Sequence, residues 1–255
     1  MISSLFGGVI AAALLLSGCQ TAQIPDPNDP ANASIVSIEE VQIAVRGVAD
    51  EIGLRIASGA VSKPMGEAEQ HRRVAEFANA LNDDAISPAD AWRAGEIYMI
   101  AGENDRAEKY LRIAVKNPAN DDRRTNDLVR LGTVLAREGK VQEAITTAEQ
   151  SFSAKTTNKG SILLGVTKEL VPSALGKGHD AGLARLIEGA IDQHLEADVP
   201  TTTPEGKAFH AAKPFHIREA YDLAIQIWQR IGRTRDATKL LRTRRDVLNQ
   251  LSHTR

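Results

Sequence analysis

The residue best suited to covalent chemistry is Cys19, the only cysteine of the 255-residue chain. A thiol is a nucleophile when it is presented to a reaction partner. Cys19 directly follows Leu16, Ser17 and Gly18. The two small residues before the cysteine would let the chain enter the active site of a processing enzyme in extended form. A single cysteine permits neither an internal disulfide nor a cysteine-ligated metal site.

An apolar stretch from Leu5 to Leu16 precedes this cysteine. Its length of about twelve residues matches the core of a signal peptide and is too short to span a bilayer. The whole segment resembles a bacterial lipoprotein signal with its lipobox, although Met1–Phe6 contains no Lys or Arg. The resemblance implies a signal peptide over residues 1–18 and a lipid on Cys19. The alternative is a short buried helix with a cysteine placed by chance.

Residues 19–34 are expected to form an extended tether, because Pro25, Pro27 and Pro30 exclude both helix and sheet. By its resemblance to lipoprotein sorting signals, Gln20 after the cysteine implies the outer membrane. We therefore expect an envelope protein that is lipid-anchored and faces the periplasm.

The charge balance excludes one broad function class. The chain has 31 Lys and Arg residues against 33 Asp and Glu, for a net charge of −2. A general nucleic-acid binder needs a basic excess, so no nucleic-acid partner is expected.

No catalytic constellation stands out. The six histidines include no His-Glu-x-x-His motif, the Gly176–Gly182 run lacks phosphate-loop spacing, and no serine lies in a nucleophile elbow. We expect a protein that is not an enzyme, with no cofactor and no metal.

The remaining chain is predicted to be all-α, because apolar residues recur at helical spacing and Gly or Pro interrupts them roughly every 12 to 20 residues. The predicted helices cover residues 36–58, 66–82, 88–101, 104–117, 124–138, 141–153, 160–175, 180–196, 214–231 and 234–251. The interval around Asp198–Pro204 is predicted to be the one long loop.

A repeat supports this assignment. Gly95, Gly102 and Ala107 recur 37 residues later as Gly132, Gly139 and Ala144. We interpret the first glycine of each set as a site of close helix packing and the second as a turn with positive φ.

This pattern resembles the tetratricopeptide repeat, whose unit has about 34 residues. The resemblance implies a right-handed helix-pair solenoid over residues 35–255, in which the helices at 36–82 fit no repeat. The best repeats are 88–121 and 125–158, and the weaker ones are 164–197 and 218–251. An irregular helical bundle is the alternative.

A tetratricopeptide-like groove implies a protein partner, here an unidentified envelope protein. Its expected partner-binding residues are Trp92, Glu96, Met99, Asn126, Val129, Thr133 and Arg137. Trp92 is the strongest candidate, and packing against the helix at 66–82 is its alternative role. The charge of Glu96 is expected to disfavour an acidic peptide end.

A basic patch is predicted near the C-terminus, where Arg235, Lys239 and Arg242 share one helix face. It could contact an acidic partner, an anionic lipid or a cell-wall polymer, or it could be a solvated face.

These observations leave two functional hypotheses. The first is a membrane-anchored scaffold for protein–protein interaction in the envelope. The alternative is a helical lipoprotein that binds cell wall or polysaccharide, with little or no catalysis.

Overall fold

The computed structural model describes residues 37–154 and 159–253, which lie in one compact unit that spans Val36–Arg255. The described residues are helical with no strand, so the predicted all-α class is confirmed. The predicted signal peptide at 1–18, Cys19 and the tether at 19–34 lie outside the described residues. None of the described helices combines the length and the apolar character that a membrane span requires.

The helices follow one another with short connections. They are α1 (Ile38–Ala57), α2 (Lys63–Asn79), α3 (Ala91–Ala101), α4 (Asn104–Lys116), α5 (Asp121–Arg137), α6 (Val141–Glu149), α7 (Lys159–Gly165), α8 (Val171–Ala174), α9 (Asp180–Glu196), α10 (Pro204–Arg230) and α11 (Thr234–His253).

Local sequence sets where several helices begin and end. Ser37 and Glu40 form a reciprocal capping box at the start of α1, and the Asn120 side chain accepts from the amide of Arg123 at the start of α5. As predicted, Gly102 has φ of 80° at the end of α3, a conformation that a residue without Cβ adopts without strain.

Helix α10 starts ten residues earlier than predicted, at Pro204 rather than at 214. The Thr203 side chain accepts a hydrogen bond from the Gly206 amide at 3.0 Å and caps the helix, and Pro204 suits its first turn because the missing N–H would be unpaired there anyway. Pro214 lies inside the helix, so the chain passes through the proline that was expected to mark its beginning.

The predicted helix at 160–175 is interrupted. Helix α7 passes into a π-helical turn at Val166–Leu170, and α8 then contains Pro172 in its first turn. A widened turn therefore lies just before Pro172. Such turns accommodate a proline that cannot donate to the helical ladder.

The helices pack in chain order. α1 contacts α2, α3 contacts α4, α5 contacts α6, α7 contacts α9, and α10 contacts α11. Contacts between neighbouring pairs join α2 to α3, α4 to α5 and α9 to α10. The first two helices, which fit no repeat in the sequence, thus pair and pack like those that follow. One apolar core extends from Val41 on α1 to Leu240 on α11.

Glycine permits a close contact between α3 and α4, as predicted for Gly95. A Cβ at Gly95 would lie 2.7 Å from Leu111 Cγ and 3.2 Å from the Leu111 backbone nitrogen on α4. Gly47, on the exposed side of α1, has nothing within 4 Å of the same position.

We predict that Gly95→Ala destabilises the protein by about 1–2 kcal/mol, because overpacking at Leu111 outweighs the better helix propensity of alanine. Gly47→Ala, which makes the same change without a clash, should instead stabilise by about 0.5–1 kcal/mol. Urea unfolding of both variants measures the difference. Equal effects would show that α3 and α4 do not approach this closely.

Candidate binding face on helices α3 and α5

Polar residues on three helices recur at helical spacing. Both α1 and α5 contact α3, and residues three or four apart share one helix face. The sets are therefore brought together where these helices meet. They are Gln42 and Arg46 on α1, Trp92 and Glu96 on α3, and Arg123, Asp127 and Arg130 on α5.

Glu96 is the centre of this arrangement. It is 5% exposed, and its carboxylate accepts from Gln42 Nε2 at 2.5 Å, from Arg46 Nε and Nη2 at 3.0 and 2.7 Å, and from Arg130 Nη2 at 3.1 Å. Burial opposes its ionisation, but the Arg46 hydrogen bonds and the Arg130 charge outweigh burial and lower the pKa of Glu96. Glu96 therefore stays ionised, its charge is balanced by arginines, and its hydrogen bonds connect α3 to α1 and α5.

Asp127 lies deeper and has weaker support. Its side chain is fully buried, and Arg130 Nη1 is 3.5 Å from its Oδ1. Its Oδ2 is buried without a hydrogen-bond partner among the described residues. Burial raises the pKa of Asp127 to about 6, although the charges of Arg130 and Arg123 act in the opposite direction.

Arg123 is held by an aromatic ring instead of a carboxylate. Its guanidinium carbon lies 3.5 Å from the centroid of the Trp92 ring, and the Arg93 guanidinium lies 4.5 Å from the same ring. Burial lowers the pKa of Arg123, yet a guanidinium stays charged in proteins. Within the part of the chain that the structure describes, no carboxylate forms an ion pair with Arg123.

The charge of this region differs from the sequence expectation. Glu96 was expected to repel an acidic peptide end, but Arg46 and Arg130 neutralise it. The other acid of this region is Asp127. Its pKa is near 6, so its carboxyl group is only partly ionised near pH 6. Arg123 adds a further positive charge, so the charge of Glu96 alone does not determine whether an acidic peptide end is disfavoured.

Four of the seven expected partner-binding residues are buried in the protein itself. Glu96 is 5% exposed, Met99 8%, Val129 5% and Thr133 0%. The reason at Val129 is that α7 packs onto it, since a Cβ at Gly165 would lie 2.6 Å from Val129 Cγ1. These four side chains offer almost no surface to a partner, which corrects their proposed role.

The other three expected residues keep exposed surface. Trp92 is half-buried and stacks on Arg123 rather than filling only an apolar gap. Asn126 accepts from Ser161 Oγ at 3.1 Å. Arg137 is exposed, and its Nη1 donates to the Met99 carbonyl at 2.9 Å. We use the name α3–α5 face for Trp92, Arg123, Asn126 and Arg137.

Sequence reasoning missed Arg46, Arg123 and Arg130. The spacing of Arg123, Asp127 and Arg130 on one side of α5 was a usable signal. The pairing of Arg46 with Glu96, across 50 residues of sequence, left no local signal.

A cavity of about 420 Å³ between α9, α10 and α11 contains three carboxylates. Glu188 accepts from Trp228 Nε1 at 2.7 Å, and Asp236 accepts from Arg233 Nε at 2.7 Å. Among the described residues, Asp192 in the same cavity accepts no comparable side-chain hydrogen bond.

The predicted basic patch is exposed along α11 at Arg235, Lys239 and Arg242. Over residues 37–154 and 159–253, no three His, Cys, Asp or Glu side chains converge as a metal site would need.

Comparison of the chain with protein-family models, with curated proteins and with solved structures gives no match. The residues of the α3–α5 face are therefore interpreted from their own geometry.

We predict that Asp127 makes stability rise on acidification. Its pKa near 6 in the folded chain exceeds the ordinary value of 3.8, so the folded state binds the proton more tightly. Relative to Asp127→Asn, the wild-type protein should gain on the order of 2–3 kcal/mol as pH falls from above 6 to about 4. Urea unfolding across this range measures the difference, and a constant difference would contradict the assignment.

Proposed function

We propose that this protein is a lipid-anchored interaction scaffold of the cell envelope, which binds a segment of another protein on the α3–α5 face. In this proposal the helix pairs form a tetratricopeptide-like solenoid. The chain-order packing of the pairs supports it, as do the glycines at their closest contact and turns. The proposed function is binding and involves no catalysis.

One observation carries the proposal. Arg123 is fixed on the Trp92 ring at 3.5 Å and has no carboxylate partner in the described chain. A guanidinium presents donors that match a carboxylate in a bidentate manner, and Trp and Arg are enriched among the residues that dominate interface energies. We infer that the partner segment places an Asp, a Glu or a chain-terminal carboxylate against Arg123.

The same stripe of α5 provides further contacts. Asn126 and Arg137 follow Arg123 along the helix, and fourteen residues separate Arg123 from Arg137, which corresponds to about 21 Å. An extended segment of about six residues spans that distance and would contact α5 near its two ends, because Thr133 between them is buried. Arg137 could donate to a backbone carbonyl or to a second carboxylate at the far end of such a segment.

The proposed location rests on the sequence. A signal peptide over residues 1–18 and a lipid on Cys19 would place the domain at a membrane, and we propose the periplasmic side of the outer membrane. The tether would then present the α3–α5 face to proteins of the envelope.

Site-specific photo-crosslinking in cells that make the full chain tests the binding face. A photoreactive residue at Asn126 should capture one protein reproducibly, and the same residue at Gln142, exposed on α6, should not. Arg123→Gln should lower the yield about tenfold, because it removes a charge-assisted bidentate contact.

Lys116→Gln is the matched control, because Lys116 is exposed and lies on α4. It removes the same charge and should leave the yield unchanged. Capture that is insensitive to Arg123→Gln, or equally strong from Gln142, would refute the binding face.

A further inference from the structure

The last helix carries cations of two kinds. Two arginines of α11 are ion-paired, Arg244 to Asp222 at 2.5 Å and Arg245 to Asp246 at 3.1 Å, and so is Arg233 just before the helix, to Asp236 at 2.7 Å.

The other three cations are Arg235, Lys239 and Arg242, which are exposed and form no ion pair within the part of the chain that the structure describes. We call them the basic face.

The basic face lies on the exposed side of α11, and Lys239 is also at the edge of the cavity that contains Glu188, Asp192 and Asp236. Ala237 and Leu240 bury the opposite side of α11, and α11 packs on α10. Spacings of four and three residues align the three cations along one line of the helix. Together with Thr234, Thr238, Thr243 and Asp246 they line a shallow depression of about 380 Å³.

Two of the three threonines in the depression donate their hydroxyl groups to backbone carbonyls. Thr238 Oγ1 donates to the Thr234 carbonyl at 2.9 Å, and Thr243 Oγ1 to the Lys239 carbonyl at 3.3 Å. The one acid in the depression, Asp246, is already paired with Arg245. The charged donors that line the depression are therefore the three cations, on a chain whose net charge is −2.

We propose that the basic face contacts the anionic phospholipid surface of the membrane that holds the protein. This inference rests on the lipid anchor of the proposed function. Only nineteen residues of chain separate Cys19 from Ile38 at the start of α1, so an anchored domain begins within about 65 Å of the lipid. The three cations of the basic face lie in one line, and an anionic surface attracts each of them. Together they would hold α11 against the membrane surface.

The contact has a consequence for the proposed binding face. A lipid on a tether limits the distance of a domain from the membrane but does not set its orientation. A second contact through α11 selects one orientation. The α3–α5 face would then be presented to partner proteins in a constant direction.

The test uses the full chain, purified from membranes and reconstituted into vesicles. One set is phosphatidylcholine alone, and the other is phosphatidylcholine mixed with phosphatidylglycerol. A dye on Asn249→Cys, exposed on α11, reports energy transfer to a labelled lipid. Lipid-modified Cys19 would not react with the dye. A dye on Gln142→Cys reports an exposed site on α6, outside the basic face.

We expect transfer from Asn249→Cys to increase with phosphatidylglycerol and to weaken with salt, without a matching increase at Gln142→Cys. The triple variant R235Q/K239Q/R242Q should lower the contact equilibrium about a hundredfold and abolish the increase. The triple variant K116Q/K207Q/R218Q changes the net charge equally at exposed sites on α4 and α10 and should behave as the parent.

Three results would overturn the membrane contact. The first is equal energy transfer from Asn249→Cys in both sets of vesicles, and the second is an increase with phosphatidylglycerol that persists in R235Q/K239Q/R242Q. The third is an increase that is lost on addition of inorganic phosphate but not of chloride at equal ionic strength. The last would indicate a site for a single phosphate. The anchor is tested separately, since sedimentation with phosphatidylcholine vesicles and a lipid mass on Cys19 depend on lipidation alone. Partner capture through Asn126 is independent of both.

Discussion

The buried carboxylate of Glu96 constrains the N-terminal half of the structure. A charge at 5% exposure stays ionised only if it is paired and hydrogen-bonded. Its partners Gln42 and Arg46 come from α1, and Arg130 comes from α5. The need to satisfy one carboxylate therefore fixes two helices on α3. It also engages Arg46 and Arg130, and leaves Arg123 without a carboxylate partner among the described residues.

Both proposals depend on cations that form no ion pair among the described residues and that are held by a helix or an aromatic ring. Arg123 is immobilised by stacking on Trp92, so an incoming carboxylate meets a guanidinium that has already lost much of its conformational freedom. Arg235, Lys239 and Arg242 are exposed on a helix and are spaced for an extended surface rather than for one group. The first arrangement favours a defined contact with a protein segment, and the second favours a diffuse electrostatic contact.

The sequence predicted the helices well because their signals are local. Helical apolar spacing, the capping residues and glycines such as Gly95 and Gly102 act within one helix or one turn. It failed where distant residues decide the outcome. Val129 and Thr133 lie on the expected face of α5, but both are buried. Val129 is covered by α7, a helix whose position the sequence of α5 does not indicate. The neutrality of Glu96 depends on a partner 50 residues away. The start of α10 was missed because Pro214 was taken as a helix start.

A double-mutant cycle on Glu96→Gln and Arg46→Gln tests most directly whether this carboxylate ties the helices together. Arg46 is half exposed, so the coupling should be about 1–2 kcal/mol rather than that of a fully buried pair. The Glu143–Arg112 pair, with both side chains more than 40% exposed, should couple by less than about 0.5 kcal/mol. A Glu96–Arg46 coupling no larger than this reference would contradict the account.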